Sequence, residues 1–374
     1  MKPTITTIDL FKLDIARREA FRISLGTIDV VQNLLVRIQC DDGLVGLGEG
    51  APLPYLCGET QAIAFEAAKE LAGLLIGQNP YAIEARLAEL DRFLVHNTTC
   101  KSAFDMALYD LLAKRAGLPL YALLGGEKRI FFTDDTIGLG EPEKMARQAL
   151  DAKQRGFPAI KIKLGTSRDQ DVARIEAIRA AVGGDVLLRI DANQGWDLVT
   201  AERTLFDLAR FDIQYCEEPV AHWNHTALRY LRERSPIPLM ADESLFNHHD
   251  ALHLASQGAC DYFNIKLAKS GGIHTALKIN AIAEGAGIQC MMGCMAETRL
   301  GLTAAAHVVS ARPNIAFADL DSAFNQSTDL VTGGITYEGG WIHLPDTPGH
   351  GADLKPEVLE SLERYTVSGS SRHR

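Results

Sequence analysis

Charged residues end five successive short apolar segments of the 374-residue chain at a nearly constant spacing. In chain order they are Lys163, Asp191, Glu217, Asp242 and Lys266. The spacing is roughly 25 positions, enough for one strand, one loop and one helix, and right-handed crossovers make the strands of such units parallel neighbours. In a closed parallel barrel, chemistry sits at the carboxyl ends of the strands, which all face one side. The pattern therefore predicts that the five side chains converge.

The strand-helix period extends over most of the chain and predicts an α/β protein with a nearly complete barrel. The predicted strands lie near residues 130–137, 158–164, 186–191, 213–217, 237–242, 261–266, 288–293 and 315–319. The first part differs, because alternating segments at 5–13 and 33–40, a turn at 41–43 and then helical segments are typical of an α+β domain. We expect one domain at 1–124, completed by 340–374, and a barrel at 125–339.

Composition narrows the class of protein. The formal charge of −10 argues against a nucleic-acid groove and against an anionic membrane surface. The sequence shows no apolar run long enough to cross a bilayer and no signal-peptide core. Seven cysteines without metal-site or disulfide spacing indicate a cytoplasmic protein. We also expect a homo-oligomer.

Three of the five strand ends are acidic. Any one of these acids alone could be a helix N-cap. Three carboxylates brought together repel one another unless a cation offsets their charge. Hard oxygen ligands that leave coordination positions open suit Mg²⁺. We therefore predict a Mg²⁺ site at Asp191, Glu217 and Asp242, with Glu218 as the second choice for the middle position.

Two of the charged strand ends are lysines, and a third lysine accompanies them. Lys161 and Lys163 lie two positions apart, so both point to one side of their strand. They could be solvated on an edge strand, but a closed barrel has no such edge, and we expect both inside it together with Lys266. Lys269 is expected on the surface. A lysine near another ammonium group and a metal ion has a lowered pKa and can act as a base near neutral pH.

Taken together, the strand-end motifs resemble the enolase superfamily, muconate lactonising enzyme subgroup. They are Lys-x-Lys at 161–163, Asp-Ala-Asn-Gln-Gly-Trp at 191–196, Glu-Glu-Pro at 217–219, Ala-Asp-Glu-Ser at 241–244 and Asn-Ile-Lys-Leu-x-Lys-x-Gly-Gly at 264–272. The resemblance covers nearly the whole chain. It implies a modified TIM barrel, (β/α)7β, with an N-terminal α+β capping domain. It also implies Mg²⁺ as cofactor on the three acids, and Lys163 and Lys266 as the acid/base pair.

Two further features distinguish branches of this family. The histidine that the mandelate racemase branch carries on the seventh strand is absent from residues 289–295. Asp319 and Asp321 follow the predicted eighth strand, where dipeptide epimerases of the family hold the substrate's α-ammonium group with an Asp-x-Asp motif. Two carboxylates two positions apart can clamp a cation, although a capped turn at Asp321 is the alternative.

The resemblance thus implies an isomerase, a dipeptide epimerase that inverts the α-carbon of the C-terminal residue of its substrate. One lysine removes the α-proton and the other returns a proton to the opposite face. Mg²⁺ and Lys161 offset the charge of the intervening enediolate. The expected partner is a small-molecule dipeptide, with neither nucleic acid nor membrane.

The position that determines substrate specificity in the Ala-Glu epimerases differs in this sequence. In the Ala-Glu epimerases, an arginine of a first-domain loop recognises the glutamate side chain. The position that resembles it here is Gly26, and Arg22 lies in another register. We therefore expect a second residue other than Glu, for instance a hydrophobic one. The residues expected to contact the substrate here are Arg22, Leu53, Tyr55, Leu56 and Ala296.

Other functions remain open on the same residues. Muconate cycloisomerases, o-succinylbenzoate synthases and N-acylamino-acid racemases share the metal and lysine framework. A Schiff-base aldolase would use Lys266 without a metal. A non-catalytic binding barrel would tolerate replacement of the three acids by Asn and Gln.

Overall fold

An antiparallel sheet and the helices that follow it form the first part of the fold. The computed structural model describes residues 3–369. The strands β1 (Ile5–Ile23), β2 (Gly26–Cys40) and β3 (Val45–Gly50) pair with β2 in the middle. The helices after them are α1 (Pro54–Cys57), α2 (Gln61–Leu75), α3 (Ile83–Phe93), α4 (Thr98–Ala116) and α5 (Leu120–Leu123). This arrangement confirms the predicted α+β pattern.

Alternate glycines on β3 allow α4 to pack directly on the sheet. Gly46, Gly48 and Gly50 share one face of the strand because side-chain direction alternates. A Cβ atom at Gly48 would lie 1.9 Å from the backbone oxygen of Ala103 in α4. Only glycine permits this approach, so the Gly-x-Gly-x-Gly segment serves helix packing.

The hairpin of β1 and β2 is longer than the sequence pattern predicts. Its strands continue past residue 13 on one side and begin before residue 33 on the other. The tip reaches the barrel, where the hydroxyl of Ser24 donates to the backbone oxygen of Asn193 at 2.8 Å. The backbone oxygen of Arg22 accepts from Leu139 N at 2.8 Å. The hairpin therefore covers the carboxyl end of the barrel.

Parallel strands alternating with helices form the second part. A short strand, β4 (Phe131–Phe132), precedes the barrel strands β5 (Asp134–Ile137), β6 (Ala159–Lys163), β7 (Leu187–Asp191), β8 (Ile213–Glu217), β9 (Leu239–Ala241), β10 (Tyr262–Lys266), β11 (Gln289–Gly293) and β12 (Ile315–Ala318). The connecting helices are α6 (Pro142–Gln154), α7 (Arg168–Val182), α8 (Leu198–Leu208), α9 (His225–Arg232), α10 (His248–Gln257), the single turn α11 (Leu267–Ser270), α12 (Ile273–Gly285) and α13 (Arg299–Ala311), with 3-10 turns at Ala209–Phe211 and Ser322–Asn325. The predicted (β/α)7β order is confirmed.

The barrel strands follow one another in chain order from β5 to β12. The first and last strands are joined by loop contacts: Thr136 N donates to the Asp321 carboxylate at 2.6 Å, and Leu320 N to the Thr133 hydroxyl at 2.8 Å. The isoleucines of β6 are fully buried beneath the helices. The opposite faces of the strands therefore point into the barrel.

The last part of the chain contacts both the first sheet and the barrel. Its elements are β13 (Val331–Gly333), β14 (Thr336–Glu338), β15 (Trp341–His343), β16 (Ala352–Leu354), α14 (Pro356–Ser361) and β17 (Arg364–Ser368). β15 pairs with β14 and β4 beside the barrel, whereas β17 pairs with β1 in the first sheet. Within residues 3–369, no helix is both long enough and apolar enough to cross a bilayer.

Candidate active site

Three carboxylates meet at the carboxyl ends of neighbouring barrel strands. Asp191 pairs in register with Lys163 of β6 on one side and with Glu217 of β8 on the other. Asp242 follows β9. Ligand oxygens of Asp191, Glu217 and Asp242 lie within 4.8 Å of one another, and all three residues are fully buried. The structure therefore brings the predicted metal ligands together.

The electrostatics of these acids are unequal. Burial and the charge of Asp191 raise the pKa of Glu217 to about 8. Burial also opposes ionisation of Asp191 and Asp242, but the adjoining ammonium groups hold the pKa of each below its ordinary value. Oε2 of Glu217 has an ion pair with Lys161 but no hydrogen-bond partner within the described residues. A divalent cation would offset this charge, and the all-oxygen donor set fits Mg²⁺.

The predicted lysines enter the barrel from two strands. Lys163 Nζ lies 2.5 Å from a carboxylate oxygen of Asp191, and Lys266 Nζ lies 2.6 Å from one of Asp242. Lys161 Nζ contacts Asp191 at 3.3 Å and Glu217 at 2.7 Å. The edge-strand alternative is therefore wrong.

The surrounding carboxylates determine the direction in which the pKa values of two of these lysines shift. Burial lowers the pKa of Lys161 and Lys266, but the carboxylates around them outweigh it and raise both. The expected downward shift applies to lysines beside a bound cation, and for that state it stays a prediction. A cation on the same acids would reduce that negative charge.

Lys269 was expected on the surface, and the structure shows it fully buried. Helix α11 starts directly after β10 and turns Lys269 back toward Asp242. Its ammonium group donates to the carboxylate and the backbone oxygen of Asp242 and to the backbone oxygen of Asn264. Sequence reasoning missed it, although a lysine three positions after Lys266 lies on the same side of one helical turn.

Two further polar residues support the carboxylates. Asn264 Nδ2 donates to Glu217 at 2.8 Å. Asn193 is buried, has a left-handed backbone with φ of 41°, and donates from its backbone to Asp191 at 2.8 Å. Neither was predicted, although the Asp-x-Asn spacing already contained the second. Glu218 accepts from the backbone nitrogens of Asp242 and Ser244, so the second choice for the middle ligand lies outside the cluster.

Asp319 and Asp321 follow the end of β12 and lie together. Asp319 accepts from Lys161 Nζ at 2.8 Å, and Asp321 accepts from Thr136 N at 2.6 Å. Despite burial, the Lys161 charge lowers the pKa of Asp319 to about 2, whereas burial and the Asp319 charge raise that of Asp321 to about 7. The Asp319 charge is thus paired with Lys161, whereas Asp321 has no ion-pair partner within the described residues. This arrangement suits a bound ammonium group.

A cavity of about 580 Å³ joins these groups beneath the β1–β2 hairpin. It contacts Lys161, Lys163, Lys266, Asp319 and Asp321, and Leu53 and Leu56 line its wall on the capping side. The lining does not include Arg22, Tyr55 or Ala296 among the described residues.

These three residues have other surroundings. The backbone of Arg22 contacts the loop after β5, and the backbone oxygen of Ala296 accepts from Asn33 at 3.0 Å. A Cβ atom at Gly26 would lie 2.6 Å from the Tyr55 ring. Their contact with the substrate stays a prediction.

Comparison with known proteins identifies the family. A model for the mandelate racemase/muconate lactonizing enzyme N-terminal domain matches residues 5–125, and one for the enolase C-terminal domain-like fold matches residues 144–358. The chain is 44% identical over 366 residues to D-Ala-D/L-Ala epimerase from Cytophaga hutchinsonii, covering 97% of this chain and 100% of that protein. It is 45% identical over 322 residues to hydrophobic dipeptide epimerase from Enterococcus faecalis, covering 86% of this chain and 91% of that protein.

A solved structure agrees with the sequence comparisons. The dipeptide epimerase from Cytophaga hutchinsonii, crystallised with Mg and the dipeptide D-Ala-L-Val, matches this fold with a TM-score of 0.96 at 44% identity, covering 98% of this chain and 100% of that chain. The resemblance inferred from the strand-end motifs is confirmed. The chain therefore belongs to the enolase superfamily, because the models for its N-terminal and C-terminal domains both match it.

Proposed function

We propose that the protein is a Mg²⁺-dependent dipeptide epimerase, an isomerase that inverts the α-carbon of the C-terminal residue of a dipeptide. The observation that carries this proposal is the placement of Lys163 and Lys266 on opposite sides of the barrel, with the carboxylate cluster between them. Three strands, β7, β8 and β9, separate β6 from β10. The similar proteins from Cytophaga hutchinsonii and Enterococcus faecalis are named D-Ala-D/L-Ala epimerase and hydrophobic dipeptide epimerase.

Charge at the substrate carboxylate is the main obstacle to the reaction, since removing the α-proton adds a second negative charge beside the first. Asp191, Glu217 and Asp242 would hold Mg²⁺, which when bound supplies the positive charge that offsets it. Lys161 adds a fixed ammonium group at the same place through its ion pairs with Asp191 and Glu217.

Proton transfer falls to the two opposed lysines. One of Lys163 and Lys266 accepts the α-proton on one face, and the other donates a proton to the opposite face. Asp319 and Asp321 hold the substrate's α-ammonium group and thereby fix the α-carbon between the lysines. An uncharged acyl group in place of the ammonium would leave Asp321 without this partner. The pair thus favours a dipeptide over the substrates of cycloisomerases, succinylbenzoate synthases and N-acylamino-acid racemases.

The C-terminal residue of the substrate is proposed to be apolar rather than Glu. Gly26 offers no cationic side chain, and the Tyr55 ring occupies the space beside it. Ile23, Leu53 and Leu56 line the cavity under the capping domain. Their side chains can bury an apolar group but cannot pair with a carboxylate.

A mass-shift screen of L,L-dipeptides in deuterated buffer with Mg²⁺ tests the function. We expect gain of one deuterium at the C-terminal α-carbon together with formation of the L,D product. Addition of EDTA should stop both. A cycloisomerase or synthase would leave every dipeptide unlabelled, and a Schiff-base aldolase would be trapped by borohydride with a carbonyl substrate and would ignore EDTA. Either of these results would overturn the proposal.

We also propose a cytoplasmic homo-oligomer with two domains. All seven cysteines are free, which suits a reducing compartment. Exposed Val199, Phe206 and Trp223 are apolar surface that a second copy could cover. Pairing of β17 with β1 supports a capping domain at 1–124 completed by 340–374, with the barrel at 125–339. Light scattering after size-exclusion chromatography measures the oligomeric state.

A further inference from the structure

The cavity extends past Asp319 and Asp321 to a wall that carries positively charged side chains. Arg17 and Arg18 of β1 and Arg147 of α6 line it there. Within residues 3–369, none of these three guanidinium groups forms a hydrogen bond or an ion pair with another side chain or the backbone. The other cationic groups of the lining have carboxylate partners; Arg155, for example, pairs with Asp151 at 2.8 Å. The three guanidinium groups therefore lack a direct carboxylate partner, although Glu19, Asp135 and Asp151 lie on the same lining.

Arg17 is the least solvated of the three arginines. It is half-buried, its Nε atom is shielded from solvent, and that atom has no hydrogen-bond partner within the described residues. Its guanidinium carbon lies 4.9 Å from the centre of the Phe21 ring. A buried donor on a charged group without an acceptor costs free energy, so an anionic ligand group placed beside Arg17 would gain a charge-assisted hydrogen bond.

Asp321 lies near Arg17 but does not satisfy it. Burial lowers the pKa of Arg17, and the Asp321 charge opposes this effect only in part; the charged atoms of the two residues form no ion pair within 4 Å. One oxygen of Asp321 accepts from Thr136 N, and the other lies 3.8 Å from the Cys294 sulfur. Glu19, at the cavity mouth, faces Lys144 at 3.5 Å. Neither acid neutralises the arginine, so its positive charge is available to a ligand.

We infer that this wall selects dipeptides whose N-terminal residue is Asp or Glu. The inference rests on the proposed function: with the C-terminal residue between the lysines and the α-ammonium group at Asp319 and Asp321, the N-terminal side chain projects toward Arg17. A side-chain carboxylate would accept from Arg17 and be further attracted by Arg18 and Arg147. An amide of the same shape would lack the charge and gain much less.

The test compares L-Glu-Xaa with L-Gln-Xaa, where Xaa is the best C-terminal residue found in the deuterium screen. We expect kcat/KM to favour the Glu peptide by about tenfold or more, as a charge-assisted hydrogen bond in a shielded site would give. Arg17→Gln should lower this ratio by about the same factor, mainly through KM for the Glu peptide, and Arg17→Lys should retain part of it. Arg203→Gln, on the exposed face of α8 outside the cavity, is the matched control and should keep the wild-type ratio.

Failures of the two proposals look different. Equal kcat/KM for both peptides in the wild type would overturn the selection of acidic residues while leaving the epimerase intact. A loss of both activities by the same factor in Arg17→Gln, with the ratio preserved, would assign Arg17 a structural role and also overturn it. If no dipeptide exchanges deuterium, the proposed function itself fails.

Discussion

At the scale of single residues, Lys163 and Lys266 meet the carboxylate cluster through different acids. The first pairs with Asp191 and the second with Asp242, so neither amine can take over the position of the other. Inversion requires proton removal on one face and proton delivery on the other. Each lysine is therefore necessary for inversion, while exchange on a single face needs only one.

We expect Lys163→Ala and Lys266→Ala each to lower the epimerisation kcat by about a thousandfold, within the range for loss of a general acid or base. Each variant should still exchange the α-proton of one stereoisomer, the one whose proton faces the remaining lysine. Proton NMR of both stereoisomers in D₂O measures the two effects separately. Lys278→Ala, on the partly exposed part of α12, serves as control. Full epimerisation by either active-site variant would contradict the two-base scheme.

At the scale of elements, a carboxylate of the capping domain accepts from the first backbone N–H groups of a barrel helix. Asp105 in α4 accepts from Ile273 N at 2.6 Å and from His274 N at 3.1 Å at the start of α12. Gly272 precedes that helix with φ of 119°, and a Cβ atom there would lie 2.2 Å from Asp105 Cγ. The contact therefore requires glycine at position 272, directly before α12. Its hydrogen bonds join α4 of the capping domain to α12 of the barrel.

Asp105→Ala should lower the free energy of unfolding by about 1–2 kcal/mol, the usual cost of a lost cap. Urea denaturation measures this loss. Asp197→Ala removes the cap of α8, where Asp197 accepts from Thr200 N at 2.7 Å, and is the matched control within one domain. Hydrogen exchange should increase at both α4 and α12 only in Asp105→Ala. Exchange confined to α12 would show that the cap does not join the two parts.

The sequence predicts the barrel more completely than the hairpin that covers it. Buried strand faces produce the apolar runs, and chemistry at the strand ends produces the charges that follow them, so both are readable. Residues 16–20 of β1 are exposed or half-buried because the hairpin extends beyond the sheet core, and burial alternation disappears there. The burial of Lys269 was not predicted because a one-turn helix redirects its side chain. Arg17 carried no local signal at all, since the cavity brings it to Asp321 from a distant part of the chain.

At the scale of the whole molecule, a buried pair of histidines joins three parts of the chain. His307 of α13 accepts from Tyr121 N at 3.1 Å through Nδ1 and donates from Nε2 to the backbone oxygen of His350 at 3.0 Å. His350 donates in turn to the backbone oxygen of Leu47 in β3 at 3.0 Å. The barrel, the C-terminal segment and the capping sheet are thus connected through these two imidazoles, and the connection depends on Nδ1 of His307 remaining an acceptor.

Acid should weaken this connection and with it the fold. Burial lowers the pKa of His307 to about 3 from an ordinary value of 6.5. Between these values the unfolded chain binds a proton at His307 and the folded chain does not, so the stability that His307 contributes is complete above pH 6.5 and falls as the pH decreases. The loss is about 1.4 kcal/mol per pH unit, or roughly 2 kcal/mol at pH 5.

His307→Gln keeps one acceptor and one donor but cannot be protonated, so its urea-derived stability should fall less steeply over this range. His343→Gln, at a partly exposed histidine, should keep the wild-type slope. Parallel curves for wild type and His307→Gln down to pH 4.5 would show that His307 does not set the acid sensitivity of the molecule.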